Sequence, residues 1–275
     1  MKKRQDFLIC VDSDGCVMDT MNVKHEKCFG PCLIQEWELE EWSVPILRRW
    51  NELNLTSMTR GINRFKGLLT VLTEIDALYK PVEDLEALGL WVRTSRSLSE
   101  ELLKEAAETY PEHPIYKKAL QWTRRVNQKI ENLSPEERMA FPGAKKALAL
   151  AGAYGDVAVV SSANQKAVEE EWKAHGLLRY VDFVMAQEAG SKTECMARLK
   201  AAGYSDGHIL MIGDAPGDEK AAEDNQVLYY PILAGREEES WQEFLEKALD
   251  LFIEGRYQGD YQQKKIEEFH QNLQY

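Results

Sequence analysis

Phe7-Leu8-Ile9-Cys10-Val11-Asp12-Ser13-Asp14-Gly15-Cys16-Val17-Met18-Asp19 is the stretch on which the reading of this chain turns. Its first five residues are continuously apolar, which predicts a strand buried on both faces at the centre of a parallel sheet. The run stops at Asp12 and a glycine follows at 15, so a turn leaves the carboxyl end of the strand, where ligand chemistry in such sheets concentrates. A turning backbone can aim Asp12 and Asp14 at one pocket. Unpaired, the two carboxylates repel; a cation joining them removes that penalty, and a hard oxygen donor set favours Mg2+. Taken alone, Asp-x-Asp-Gly also occurs in calcium loops and surface turns.

Three more apolar runs lead into polar junctions. Val157-Ala158-Val159-Val160 precedes Ser161-Ser162-Ala163-Asn164 and a predicted helix Gln165–Ala174. A hydroxyl there, beside N–H groups at a helix start, can grip a phosphate oxygen. The same serine can serve as the N-cap that a strand-to-helix junction needs. Lys192 follows a candidate strand at 182–186 and opens a predicted helix at 193–202. The positive end of a helix dipole disfavours a cation by about a few tenths of a kcal/mol, so a compensating anion is expected nearby. In isolation Lys192 reads as a solvated surface lysine. The fourth run, Ile209-Leu210-Met211-Ile212, ends at Gly213-Asp214-Ala215-Pro216-Gly217-Asp218.

In order and local context these segments resemble the haloacid dehalogenase-like hydrolase superfamily. Asp12, Asp14, Gly15 and Asp19 match its first motif, and Gly213, Asp214 and Asp218 match its Gly-Asp-x-x-x-Asp signature. Cys16 departs from the usual Thr or Val and is expected to tune the loop. The resemblance implies an α/β fold: a Rossmann-like three-layer core with a central parallel sheet and an inserted helical cap of the C1 type. Phosphoglycolate phosphatase-like and beta-phosphoglucomutase-like members carry such caps.

The resemblance also implies roles. Asp12 is the expected nucleophile, forming an aspartyl-phosphate, and Asp14 the acid that protonates the leaving oxygen and then activates water. Ser161, with Ser162, and Lys192 hold the phosphate. Mg2+ is expected on Asp12, the Asp14 backbone carbonyl and Asp214, with Asp218 holding a metal-bound water or orienting Lys192. An aspartate at 14 favours phosphate esters, since members that cleave carbon–halogen or carbon–phosphorus bonds lack it. The expected function is Mg2+-dependent hydrolysis of a small phosphorylated metabolite. The alternatives are a phosphomutase or, from a different class, a non-catalytic protein that binds a phosphate ligand.

Composition narrows the field. The 275 residues suffice for one domain with a large insertion, or for two. With 46 acidic and 34 basic residues the net charge is -12, which argues against nucleic-acid binding. The apolar run after Lys2-Lys3-Arg4 is too short for a signal peptide or membrane span, so no membrane association and a cytoplasmic protein, monomer or homodimer, are expected. Five cysteines without regular spacing fit reduced thiols. His25, Cys28 and Cys32 offer three zinc ligands, but no fourth follows at matching spacing.

Residues 1–20 and 142–275 are expected to form a discontinuous core domain and 21–141 a helical cap domain. Within the cap, segments 33–51, 67–79, 98–109 and 116–132 carry apolar residues at helical spacing. Trp37, Trp42, Trp50, Trp91 and Trp122 are read as helix-packing anchors. The basic segment 59–67 supplies Arg60, Asn63, Arg64 and Lys66 as candidate contacts for an anionic substrate; a solvated helix-entry loop would look the same. A fifth strand at 227–233 and amphipathic helices at 237–254 and 261–275 close the chain. The last helix is expected to cover the core or meet a partner.

Overall fold

A computed structural model describes residues 2–273, so the final two positions of the helix expected at 261–275 lie outside the described residues. The chain divides into two compact units, Met1–Met21 with Pro135–Tyr275, and Asn22–Ser134.

The first unit is built on a five-stranded sheet. Its strands are β1 (Phe7–Val11), β4 (Gly155–Val160), β5 (Phe183–Met185), β6 (Ile209–Gly213) and β7 (Leu228–Pro231). A separate two-stranded ribbon pairs β2 (Met18–Asp19) with β3 (Met139–Ala140) antiparallel. The main sheet is parallel throughout, in the order β5-β4-β1-β6-β7, which puts the Asp12 strand at its centre.

The continuous apolar runs follow from burial on both faces. Ile9, Val11, Val157, Val159, Leu210 and Ile212 pack into one core with Trp172, Trp241 and Phe244. Their strand neighbours Leu8, Cys10, Ala158, Val160, Ile209 and Met211 pack into a second, with Met196, Ala221 and Phe269. Alternate side chains thus serve opposite layers and are almost all apolar; the exception is Asp156 near the start of β4, whose buried carboxylate accepts from the Tyr204 hydroxyl and the Arg4 N–H. This is an α/β Rossmann-like architecture of three layers.

The second unit is helical. Its main helices are Gly30–Trp37, Ser43–Asn51, Arg64–Leu78, Leu85–Thr94, Glu100–Thr109 and Pro114–Glu131. They close on a core that includes Trp37, Trp50, Trp91 and Trp122, with Trp42 packed at its margin. The aromatic pattern therefore acts as packing.

Two details of this unit differ from the sequence-based expectation. Segment 33–51 is not one helix: Glu38 caps the first at φ 54° and donates its N–H to the Ile34 carbonyl, and a short turn at Glu40–Trp42 redirects the chain. An additional helix, Leu85–Thr94, contains Gly89, whose low helix propensity masks it in the sequence. Among the described residues no helix is long and apolar enough to cross a membrane.

Candidate active site

Strand register gathers the motifs. Val11 pairs with Val159 on one side and with Ile212 on the other, so Asp12, Ser161 and Asp214 all emerge at the carboxyl edge of three adjacent strands. Oxygens of Asp12, Asp214 and Asp218 lie within 4.8 Å of one another, and all three residues are buried.

Lys192 stands at the first position of the helix Lys192–Lys200. Its Nζ lies 2.7 Å from Asp12 Oδ2 and 2.6 Å from Asp218 Oδ1, so these carboxylates are the anions that offset its unfavourable place at a helix start. Burial alone would lower the Lys192 pKa, but Asp12 and then Asp218 reverse this and hold it above the ordinary lysine range. The side chain therefore stays charged. The helix has its own cap: Ser191 accepts from the Glu194 N–H, and Glu194 returns the contact to the Ser191 N–H.

Asp218 is pushed up to about 8, by burial first and then by repulsion from Asp12 and Asp214, against the pull of Lys192. Asp12, Asp214 and Asp218 thus bring three buried carboxyl groups together beside Lys192. Such a hard oxygen set fits a divalent cation of the Mg2+ type. The set does not include the Asp14 carboxylate. Instead Asp14 Oδ1 accepts from the Thr20 hydroxyl at 2.5 Å, and Thr20 is fully buried. The zinc arrangement of His25, Cys28 and Cys32 is not among the metal-capable clusters of the described residues, and His25 Nδ1 accepts from Trp50 Nε1 at 3.1 Å.

The loop between the two catalytic candidates is tightly bonded. Gly15 adopts φ 82°, a left-handed conformation suited to glycine, and donates its N–H to the Met18 carbonyl at 2.8 Å. The Ser13 carbonyl accepts from Val17 and Met18 N–H groups at 3.0 and 2.8 Å. The Ser13 N–H donates to Asp12 Oδ1 at 2.7 Å. Two indoles pin the loop from outside: Trp172 Nε1 donates to Ser13 Oγ and Trp241 Nε1 to the Cys16 carbonyl, each at 2.9 Å. Cys16 is fully buried, and burial followed by the three nearby carboxylates raises its thiol far above the reactive range.

Ser161 does not cap the following helix, contrary to one sequence expectation. Asn164 does, accepting from the Ala167 N–H at 2.8 Å, because it is the residue immediately before the first helical turn. Ser161 is buried at the strand end and its Oγ accepts from the Ala163 N–H at 3.2 Å, while Ser162 is exposed. Its hydroxyl proton is thus not used in that bond.

The four cationic and amide candidates of segment 59–67 belong to the helical unit. Arg60 is buried and donates to the Leu55 carbonyl, and Asn63 caps the helix Arg64–Leu78. Arg64 donates to Thr123 and Asn127 and lies 4.9 Å over the Phe29 ring. Lys66 is exposed. The residues that sequence reasoning missed are Ser13, Thr20, Trp172 and Trp241. Ser13 lay in plain view between two aspartates, but its partner is 159 positions away.

A central parallel sheet with an acidic, lysine-bridged carboxyl edge defines a class of α/β enzymes, and comparison identifies which. A family profile for haloacid dehalogenase-like hydrolases matches residues 90–230, just over half of the chain, and spans Ser161, Lys192, Asp214 and Asp218. The chain belongs to that family and is accordingly a hydrolase.

Among solved structures, it is similar to a haloacid dehalogenase-like family hydrolase from Streptococcus pneumoniae, with TM-score 0.54, 13% identity, and coverage of 86% of this chain and 90% of the other. A haloacid dehalogenase-like hydrolase from Bacteroides fragilis gives 0.53, 10%, 86% and 93% respectively. A Lactobacillus delbrueckii protein provisionally designated a phosphoglycolate phosphatase gives 0.52, 13%, 83% and 86%. At such identities the likeness bears on the fold. Comparison with curated proteins finds no match.

Proposed function

We propose that this hydrolase is a Mg2+-dependent phosphatase acting on a small phosphomonoester through an aspartyl-phosphate on Asp12. The observation that carries the reading is Lys192 Nζ, held between Asp12 and Asp218 beside Asp214 at the strand ends. Such a site offers one nucleophilic carboxylate, one fixed cation for a phosphoryl oxygen and a carboxylate set for a metal.

In this reading an Asp12 carboxylate oxygen attacks phosphorus and the ester P–O bond breaks. Asp14 gives its proton to the departing oxygen, then takes one from the water that attacks the acyl phosphate. Inorganic phosphate leaves and the Asp12 carboxylate is restored. Lys192 and the Ser161 hydroxyl hold phosphoryl oxygens, with Ser162 at the rim. Mg2+, when bound by Asp12, Asp214 and the Asp14 carbonyl, supplies neutralisation of phosphoryl charge. Asp218 keeps Lys192 in place. Substrate choice is assigned to the helical unit, where Lys66 is the exposed cation of its basic segment.

The test is phosphate release from sugar phosphates, phosphoglycolate, nucleotides and an aryl phosphate, with Mg2+ or EDTA, for wild type and Asp12→Asn. Turnover that requires Mg2+ and falls by at least about 10³-fold in the variant is expected. Isomerised product with little free phosphate would point to a mutase instead, and a Mg2+-dependent ligand bound without turnover to a binding protein.

A further inference from the structure

Ser13 separates the proposed nucleophile from the proposed acid, and it is 1% exposed. A hydroxyl in a dry strand end costs stability unless it is bonded. Its partner is the indole of Trp172, itself fully buried in the helix Gln165–Ala174, at 2.9 Å. The backbone N–H of Ser13 donates to Asp12 Oδ1 at 2.7 Å, while Lys192 holds Oδ2 at 2.7 Å. Asp12 is therefore gripped on both oxygens, and one grip is set by the orientation of the Ser13 peptide. The helix that carries Trp172 begins directly after the Ser161 loop.

We propose that the Trp172–Ser13 hydrogen bond is a positioning pair that locks the Ser13 peptide, and through it the Asp12 carboxylate, in register with the Ser161 loop. The proposal rests on Asp12 acting as nucleophile. Misplacing a reacting carboxylate by a fraction of an ångström lowers turnover, because near-attack geometry is lost even when substrate still binds. An apolar residue at 13 would leave the indole N–H buried and unbonded, free to pull the helix and loop apart.

The experiment compares Ser13→Thr with Ser13→Val, which have nearly the same shape and differ in the hydroxyl. Each is made in wild-type and Trp172→Phe backgrounds and assayed with p-nitrophenyl phosphate and Mg2+, with rates normalised to the folded fraction from thermal melts. The expected result is a kcat about tenfold higher for Thr than for Val when Trp172 is present, with KM within about twofold, and a Thr advantage below about twofold in the Phe background. A packing role alone would move melting temperature and folded fraction without this background-dependent kcat ratio. Equal normalised kcat for Thr and Val, or the same ratio in both backgrounds, overturns the pair while leaving Asp12 chemistry intact. Absence of wild-type turnover, or full activity in Asp12→Asn, overturns the nucleophile reading and the pair with it.

Discussion

Gly213 makes room for Asp218: a Cβ built on residue 213 would lie 2.3 Å from Asp218 Cγ and 2.4 Å from its Oδ2, far inside contact distance. The glycine of the acidic motif is thus a matter of space, with no left-handed backbone to accommodate. Asp218 Oδ2 uses that space to accept the Ala215 N–H at 3.1 Å, leaving Oδ1 for Lys192 at 2.6 Å. Gly213→Ala must therefore displace Asp218 and loosen Lys192. The expected cost is about 1–3 kcal/mol of stability, from overpacking, together with at least about tenfold lower turnover, since the proposed mechanism relies on the placement of that cation to stabilise phosphoryl charge. Denaturant melts and phosphate release, measured side by side, check both.

Because Asn164 caps the helix that follows the Ser161 loop, the phosphate contact proposed for Ser161 can be tested apart from capping. Asn164→Ala is expected to lose about 1 kcal/mol through the uncapped helix start and to affect turnover much less than Ser161→Ala. Ser161→Ala is expected to cost about 1 kcal/mol, because the Ala163 N–H loses its acceptor, while lowering kcat/KM about tenfold through loss of the hydrogen bond to phosphate that the proposed mechanism assigns to it. Reversal of this pattern would return Ser161 to a structural role.

Metal should stabilise the fold as well as permit turnover. In the proposed reading a divalent ion is held by Asp12 and Asp214, so Mg2+ at a hundredfold over its Kd is expected to add about 2.7 kcal/mol. Titration followed by thermal melting reads this directly. In Asp214→Asn the shift should largely vanish, and EDTA should abolish wild-type turnover.

Lys265 ties the C-terminal helix Asp260–Asn272 to the helix Glu237–Glu243: its Nζ lies 2.6 Å from Glu243, and 2.5 Å from Glu268 on its own helix. Burial would raise the Glu243 pKa, but hydrogen bonds from Lys265 and Tyr261 outweigh it and hold the group below its usual value. A carboxyl depressed in the folded state stabilises above its unfolded pKa, and that contribution is lost as pH falls through the folded one. Lys265→Met is therefore expected to cost about 1–2 kcal/mol near neutrality. The difference from wild type should shrink below about pH 4 as Glu243 protonates. Melting temperatures of both proteins from pH 7 to pH 3 provide the check.

What the sequence determined by itself was local and periodic. Continuous apolar runs marked β1, β4 and β6 because strands buried on both faces strongly favour apolar residues, and the acidic and serine loops announced themselves where those runs broke off. The helix Gln165–Ala174 and the anchoring role of the tryptophans were legible for the same reason: each is written in nearest-neighbour spacing. The break at Glu38 was not, because a left-handed residue other than glycine leaves no compositional trace.

Tertiary structure decided which separated segments share one volume. Parallel register placed Asp12 beside the ends of two strands drawn from distant parts of the chain, and only then did Lys192 acquire Asp12 and Asp218 as partners. The Trp172–Ser13 bond belongs to the same category. Hydrogen bonds act over about 3 Å, so a pair 159 positions apart can be specified only after the sheet and its covering helices have brought their backbones together.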